Sequence, residues 1–474
     1  MTDRATVVLD VGKTLSKLGL WAPDGTLIQR RSRPNQRVIA HRYSALDTKG
    51  IEQWLETTLR EFAGLADIGA IIPVGHGAAA AVIGPDRLAQ PSLDYEHPIP
   101  VELRREYDSR RDPFAQTGSP ALPDGLNLGA QLYFLESLIP AGFASDSMIV
   151  PWAQYWSWLL SGVAATEVTT LGCHTDLWRP IEHTYSALAH SCGWSDRFAP
   201  MRSADAALGR LSVRWATRTG LPSDVQIHCG LHDSNAAVVA ARGFPEIAAA
   251  DSSVLSTGTW FVAMRTPAPG TRVLATDLSE TRDCLINVNV AGNPLPSARF
   301  MGGREIELLT GLDSRRIDAS SGQRELVDAS ANVLTSGAMV LPTFAPGYGP
   351  YPRRGGCWLA MPANDTERRA AVCLYAALVA DATLDLVGAR DRILIEGRFA
   401  AADVFVRALA SLRTDCSIYV APAQSDVSFG ALRVLNPELR PAGPLTRVQP
   451  LTIDLTTYRN RWHEEIATRS RDTQ

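Results

Sequence analysis

The sequence predicts an α/β protein built as two similar halves. Three observations lead there. Apolar strand-like runs alternate with helical patterns along most of the chain. A strand, a glycine turn and a second strand open the chain and recur in kind near Asp251. The 474 residues exceed what one ordinary core holds, which favours two domains of roughly 200–250 residues. The restart puts the boundary near 240–250 and gives segments 1–245 and 246–474.

"TVVLDVGKTLSKLGLW" reads as a β-hairpin, with Gly12 in its turn. Residues 51–62 follow as a helix, with Trp54, Leu55, Leu59 and Phe62 apolar, and "IGAIIPVGHG" as a buried strand ending in glycines. Residues 85–125 are rich in proline and charge and read as surface excursions. Residues 127–139 and 151–161 read as helices, the second opened by Pro151 and closed by Gly162. "DVQIHCGLHD" reads as one short strand running into a helix of small residues. The second half repeats the grammar. "DSSVLSTGTWFVAM" is a hairpin, followed by a helix at 366–388, the strand "RILIEG", a helix at 401–413, the strand "SIYVA" and a helix at 428–435.

Composition excludes several classes. A net charge of −4 gives no electrostatic case for a nucleic-acid or anionic-membrane partner. Seven scattered cysteines without a CxxC pair fit a reduced, cytoplasmic setting and no zinc site. The uncharged run 147–166 is long enough to span a bilayer, but Pro151, Gln154, Ser157 and Ser161 make it a buried helix instead.

Six motifs could carry chemistry. In "LDVGKTLSK", Asp10 ends a strand and could hold a divalent cation. Gly12 turns the chain, and backbone amides with the Thr14 and Ser16 hydroxyls face outward, a cradle for phosphate near Lys17; taken alone, a plain hairpin is the simpler reading. No Walker A loop is present. "STGTW" supplies a second such turn through Thr257, Gly258 and Thr259, and one turn opening each half is what a nucleotide clamped between domains requires. In "VGHGAAAAVIG", Gly75 and Gly77 permit close approach, and His76 either satisfies its own turn or donates to a hydroxylated ligand. The segment 339–356, with Arg353 and Arg354, is a loop at the cleft or at the surface. "LIEGRF" places Gly397 at the carboxyl end of a strand, where α/β sheets bind ligands. Finally, "CGLHDSNAAVV" sets four polar residues beside an apolar run, where Asp233 is a helix cap or a reactive carboxylate.

Asp10-x-Gly12…Lys17, Gly75-His76-Gly77, His232-Asp233, Thr257-Gly258-Thr259-Trp260 and Glu396-Gly397 occur in this order. On these motifs the chain resembles the FGGY carbohydrate kinases over essentially its whole length. "GLHDSNAAV" and "LSTGTW" look most like the branch containing rhamnulokinase and fuculokinase. The resemblance implies two actin-like, ribonuclease-H-like ATPase domains around an interdomain cleft. It implies phosphorylation of a ketose or deoxyketose hydroxyl, of the L-fuculose or L-rhamnulose type, from ATP with Mg²⁺. A non-catalytic actin-like nucleotide- or sugar-binding protein is the alternative. Carried over residue by residue, Asp233 is the general base. Asp10, Gly12, Lys13, Thr14 and Lys17 form the first nucleotide loop, with Asp10 on the metal. Thr257, Gly258, Thr259 and Gly397 form the second, and His76, Gly77, His232 and Asp233 meet the sugar. Two departures stand out: Lys13 replaces a small hydroxyl residue, and "EGRF" replaces a Gly-Gly-Gly run followed by Asn. The partners implied are the sugar and ATP, with the chain a monomer or homodimer.

Overall fold

A computed structural model describes residues 4–40, 42–144, 146–312, 322–353, 355–421 and 426–471. Its frame is two seven-stranded sheets of matching topology. In the first, Ala5–Val11 and Leu15–Trp21 form the opening hairpin, Leu27–Pro34 continues it antiparallel, and Ile68–Gly75 pairs parallel to the opening strand. In the second, Ser252–Thr257 and Phe261–Thr266 form the hairpin. Pro294–Phe300 continues it, and Arg392–Gly397 lies parallel to Ser252–Thr257. The parallel partner is reached each time through a long excursion that includes a helix, Thr48–Ala63 in one half and Asp365–Leu386 in the other.

Both sheets are buried on two faces, which is why their central strands read as unbroken apolar runs. In the first sheet, Val7, Leu9 and Ile71 pack on Ile51, Leu55, Phe62, Trp152 and Trp156 from helices Thr48–Ala63 and Trp152–Ser161. Val8, Ile72 and Val74 point the other way, onto Phe429, Ala431 and Leu432 of helix Val427–Leu435. In the second sheet, Leu255, Ala263, Ile393 and Ile395 pack under helices Asp365–Leu386 and Asp403–Leu412. The opposite residues Val254, Met264 and Leu394 meet Val238 and Ala241 of helix Asp233–Ala241. Two small-residue helices thus lie between the sheets: Val427–Leu435 covers the sheet of the other half, and Asp233–Ala241 does the same while its Ala236 and Ala240 also pack against its own sheet. They touch backbone to backbone: a Cβ on Gly430 would stand 1.8 Å from the Ala236 carbonyl oxygen.

Several sequence expectations change. Residues 85–125 are not a surface excursion, for they contain strand Leu88–Gln90 and helix Val101–Arg110, and Ser92, Leu93 and Asp94 are buried. Charge misled there because the buried carboxylate has cationic partners, described below. "DVQIHCGLHD" is two strands, Gln226–His228 and Leu231–His232. Gln154 donates to the Cys229 and Gly230 carbonyls and Ser157 to that of His228, so helix side chains take the groups a strand partner would use. Within 147–166, strand Met148–Pro151 precedes helix Trp152–Ser161. Pro151 is the cap rather than the first helical residue, and Gly162 ends the helix in the left-handed region. Among the described residues, no helix is long and apolar enough to cross a membrane.

Candidate functional site

Strand ends from both sheets converge on a cavity of about 390 Å³ between the halves. It brings together Lys13, Lys17, His76, Gly77, His232, Asp233, Thr257, Gly258 and Gly397 of the sequence-derived set. Thr14 and Thr259 line the adjoining crevice, which Lys13 shares.

The opening hairpin sets Asp10 directly across from Lys17, and Lys17 Nζ donates to Asp10 Oδ2 at 3.2 Å. Burial raises the pKa of Asp10; Lys17 opposes that rise, while Asp233 and Asp426 add to it. The Asp10 carboxylate raises that of Lys17. Asn35 clamps the turn, donating to the Gly12 carbonyl at 2.8 Å and accepting from Ser16 Oγ at 2.8 Å. Ser16 is therefore buried inside the hairpin and does not face outward as the turn pattern suggested. Thr14 is exposed. Among the described residues, the Lys13 and Thr14 amides donate to no backbone acceptor, so the turn offers free N–H groups. Lys13 itself points away from the turn. Its ammonium pairs with the buried Asp94 and lies 4.5 Å from the Tyr95 ring centre, and Arg37 holds the other Asp94 oxygen at 2.9 Å.

The second turn is built differently. The Thr257 hydroxyl donates to the Glu396 carbonyl at 2.5 Å and accepts from the Phe399 amide at 3.1 Å, so it ties strands together. Gly397 follows Glu396 at φ 85°, and a Cβ there would lie 2.3 Å from the Thr257 carbonyl oxygen, so only glycine fits. Gly258 N donates to the Trp260 carbonyl at 3.0 Å. The Glu396 carboxyl accepts from Ser256 Oγ, and burial pushes it up to about 7.

Asp233 is the first residue of its helix, with His232 at the cap position, so the capping reading does not fit it. Asp233 Oδ1 accepts from the Ser234 amide at 2.6 Å and lies 3.2 Å from His232 Nε2. Among the described residues Oδ2 has no partner, and the side chain is 30% exposed. Burial pushes the carboxyl up to about 6. Burial also holds His232 down to about 4, a neutral ring. Its Nδ1 faces Asn235 Nδ2 at 3.4 Å, an amide donor, which leaves the ring proton on Nε2, directed at Asp233.

His76 is buried with both ring nitrogens unpartnered, and burial holds it down to about 3. His174 sets Nδ1 on the Leu126 carbonyl at 2.7 Å, leaving Nε2 as an acceptor. Arg299 is paired with Asp283 at 3.1 Å, lies over the Trp260 ring at 4.7 Å, and leaves Nη2 unpartnered. A buried histidine and guanidinium with free donors, lining one cavity, await polar atoms of a ligand.

Sequence reasoning missed Asp94, His174 and Arg299 as neighbours of the site, and did not give Glu396 or Trp260 a role there. Glu396 sits one residue before a flagged glycine, and Trp260 ends a flagged turn. The other three have no local signal. The 339–356 loop reaches the cleft margin through Tyr348, edge-on to Trp260 at 5.0 Å, while Arg354 lies outside the described residues.

Among the described residues, no group of three or more His, Cys, Asp or Glu forms a ready metal cage. Asp233 nonetheless raises the pKa of Asp10, and Lys17 opposes the rise at both carboxyls. Such an excess of carboxylate suits a cation held by one or two carboxylates, waters and phosphates.

A carbohydrate kinase from Novosphingobium aromaticivorans is 53% identical to this chain, covers 99% of each and superposes with a TM-score of 0.90. The chain belongs to the FGGY carbohydrate kinases. A profile described as "Carbohydrate kinase FGGY, C-terminal domain" matches residues 249–442 of this FGGY kinase. A xylulose kinase from Lactobacillus acidophilus (13% identity, 98% of each chain, TM-score 0.77) shares its fold. So does a Plasmodium falciparum glycerol kinase with ADP (13%, 99% of this chain and 98% of the other, 0.79). No curated protein matches the sequence. The FGGY kinase is thus an ATP-using phosphotransferase of two actin-like domains, an enzyme rather than a non-catalytic module.

Proposed function

We propose that this kinase phosphorylates a 6-deoxyketose of the L-fuculose or L-rhamnulose type, with Asp233 as general base. The observation that carries the substrate class is the makeup of the cavity. Three of its cations are already matched, Lys13 with Asp94, Lys17 with Asp10 and Arg299 with Asp283, and Arg398 shares the lining with the carboxyls of Asp233 and Glu396. Its histidines, His76, His174 and His232, are held neutral by burial. Such a site favours hydroxyls over a sugar acid. Beside them, Ala78, Tyr95, Leu126 and Trp260 form a small apolar cluster that suits a terminal methyl group.

A sugar hydroxyl attacks poorly while it keeps its proton. Asp233 Oδ2 orients that hydroxyl and takes its proton as the oxygen–phosphorus bond forms and the bond to the ADP leaving group breaks. The His232 N–H and Ser234 amide fix Oδ1, so the free oxygen points where it is needed. Lys17 and the free amides of Lys13 and Thr14 match the charge on the phosphate oxygens. Asp10 would hold Mg²⁺, which supplies further neutralisation of the phosphates when bound.

The test is a coupled ADP-release assay on two matched pairs. L-fuculose is compared with L-tagatose, and L-rhamnulose with L-fructose, each pair differing by one hydroxyl. The methyl sugar of the preferred pair should win by about ten- to a hundredfold in kcat/KM. Equal rates, or preference for the hydroxymethyl sugar, would remove the deoxyketose assignment.

A further inference from the structure

A second cavity, of about 770 Å³, also lies between the halves and shares no lining residue with the catalytic one. Its walls carry Arg242 and Arg433 against one carboxylate, Asp205. Arg433 is mostly buried and rigidly held: Nε donates to the Val239 carbonyl at 3.1 Å and Nη1 to that of Leu439. Arg242 makes one long contact, Nη2 to the Ala248 carbonyl at 3.5 Å. Among the described residues, neither guanidinium pairs with a carboxylate. The Val239 carbonyl in helix Asp233–Ala241 takes Nε and the Leu439 carbonyl takes Nη1, which leaves Nη2 uncommitted among the described residues. Two neighbouring cations without a counter-ion repel each other, and burial, Arg440 and Arg242 all lower the pKa of Arg433, with Glu438 opposing. A bound anion removes that repulsion.

A second, independent feature is Asn235. It is 1% exposed, lines the same cavity, and its Oδ1 is buried without a partner. An acceptor of this kind calls for a hydroxyl. Pro267, Pro269, Val273 and Leu295 add an apolar wall. The volume far exceeds that of a bare phosphate.

We infer that this crevice binds a small phosphate ester, its anionic group on Arg242 and Arg433 and its hydroxylated carbon skeleton toward Asn235. This goes beyond the kinase reaction and does not depend on which sugar is phosphorylated. The ligand would bridge the two helices that join the halves, and Asn235 also contacts His232 beside Asp233.

The full chain, saturated with MgADP, is titrated with glucose 6-phosphate and, separately, with inorganic phosphate, reading thermal stabilisation. Glucose 6-phosphate should stabilise more than inorganic phosphate; equal shifts would overturn the assignment of an ester whose skeleton meets Asn235. Arg242→Gln should weaken the apparent affinity at least about tenfold, with KM for ATP and sugar unchanged. No stabilisation by either probe at about 20 mM, or identical titrations in Arg242→Gln, would overturn the site. Should that variant fail to fold, Asp205→Asn decides. Removing the carboxylate should tighten binding about fivefold, and unchanged binding would refute the inference.

Discussion

In the N-terminal sheet, Asp10 faces Lys17 across the hairpin and Val74 on the parallel neighbour. In the C-terminal sheet the same position is Ser256, facing Val262 and Glu396. Gly75 and Gly397 occupy matching places one residue on. The backbone plan is repeated, and the carboxylate has moved from the first strand to its parallel neighbour. On one side it is paired with a cation, on the other with a hydroxyl. Asp10 and Lys17 are a fixed ion pair. Glu396, pushed up to about 7, is ready to lose or keep its proton near neutrality. Equivalent scaffolds therefore divide the labour: one turn pairs its carboxyl with a cation, the other holds a carboxyl that adapts to what lies beside it.

The largest expected effect breaks the comparison at its centre, between the two turns. Asp233→Asn should keep the fold and sugar binding while lowering kcat at least about a hundredfold. In the wild type, kcat/KM should fall as pH drops below about 6, because the base must be ionised and burial raises its pKa to that value. Near wild-type turnover in the variant would remove Asp233 from the base role. Next, Asp10→Ala should raise KM for MgATP at least about tenfold while leaving sugar affinity nearly unchanged. Calorimetry showing the reverse would exchange the two sub-sites. The smallest effect sharpens the contrast between the turns. As Glu396 ionises above about 7, it should repel nucleotide phosphate, so wild-type KM for ATP rises between pH 6 and 8. Glu396→Gln should flatten that rise, a change of about two- to fivefold. An unchanged slope would make Glu396 a structural residue only.

Much of this was legible in the sequence, for reasons that differ by residue. The hairpins and central strands were visible because two-faced burial leaves unbroken apolar runs, as in Val7–Leu9 and Ile393–Ile395. Asp233 was visible because a polar run beside an apolar helix needs an explanation. Asp94 was not, because its partners Lys13 and Arg37 lie far away along the chain and its surroundings look like loop. Arg299 was hidden for the same reason: its value comes from Asp283 and Trp260, neither adjacent to it in sequence. Ser16 and Thr257 show the opposite limit. Both sit in turns of the right composition, yet their hydroxyls are spent on Asn35 and on the Glu396 carbonyl. Composition locates a turn but does not say which way its hydroxyls point.

The exchanged helices have a consequence for how the chain comes apart. Phe429 and Leu432 cover Val8 and Ile72, while Val238 and Ala241 cover Val254 and Leu394. A chain ended near residue 245 would lose Phe429 and Leu432 from one face of its sheet and expose part of it to water, and one begun there would lack the helix beneath the other. The two sheets therefore share their covering helices and do not form two separate folding units. Heating should therefore melt both halves in a single transition, and a lesion in either one should be felt as lost stability in both.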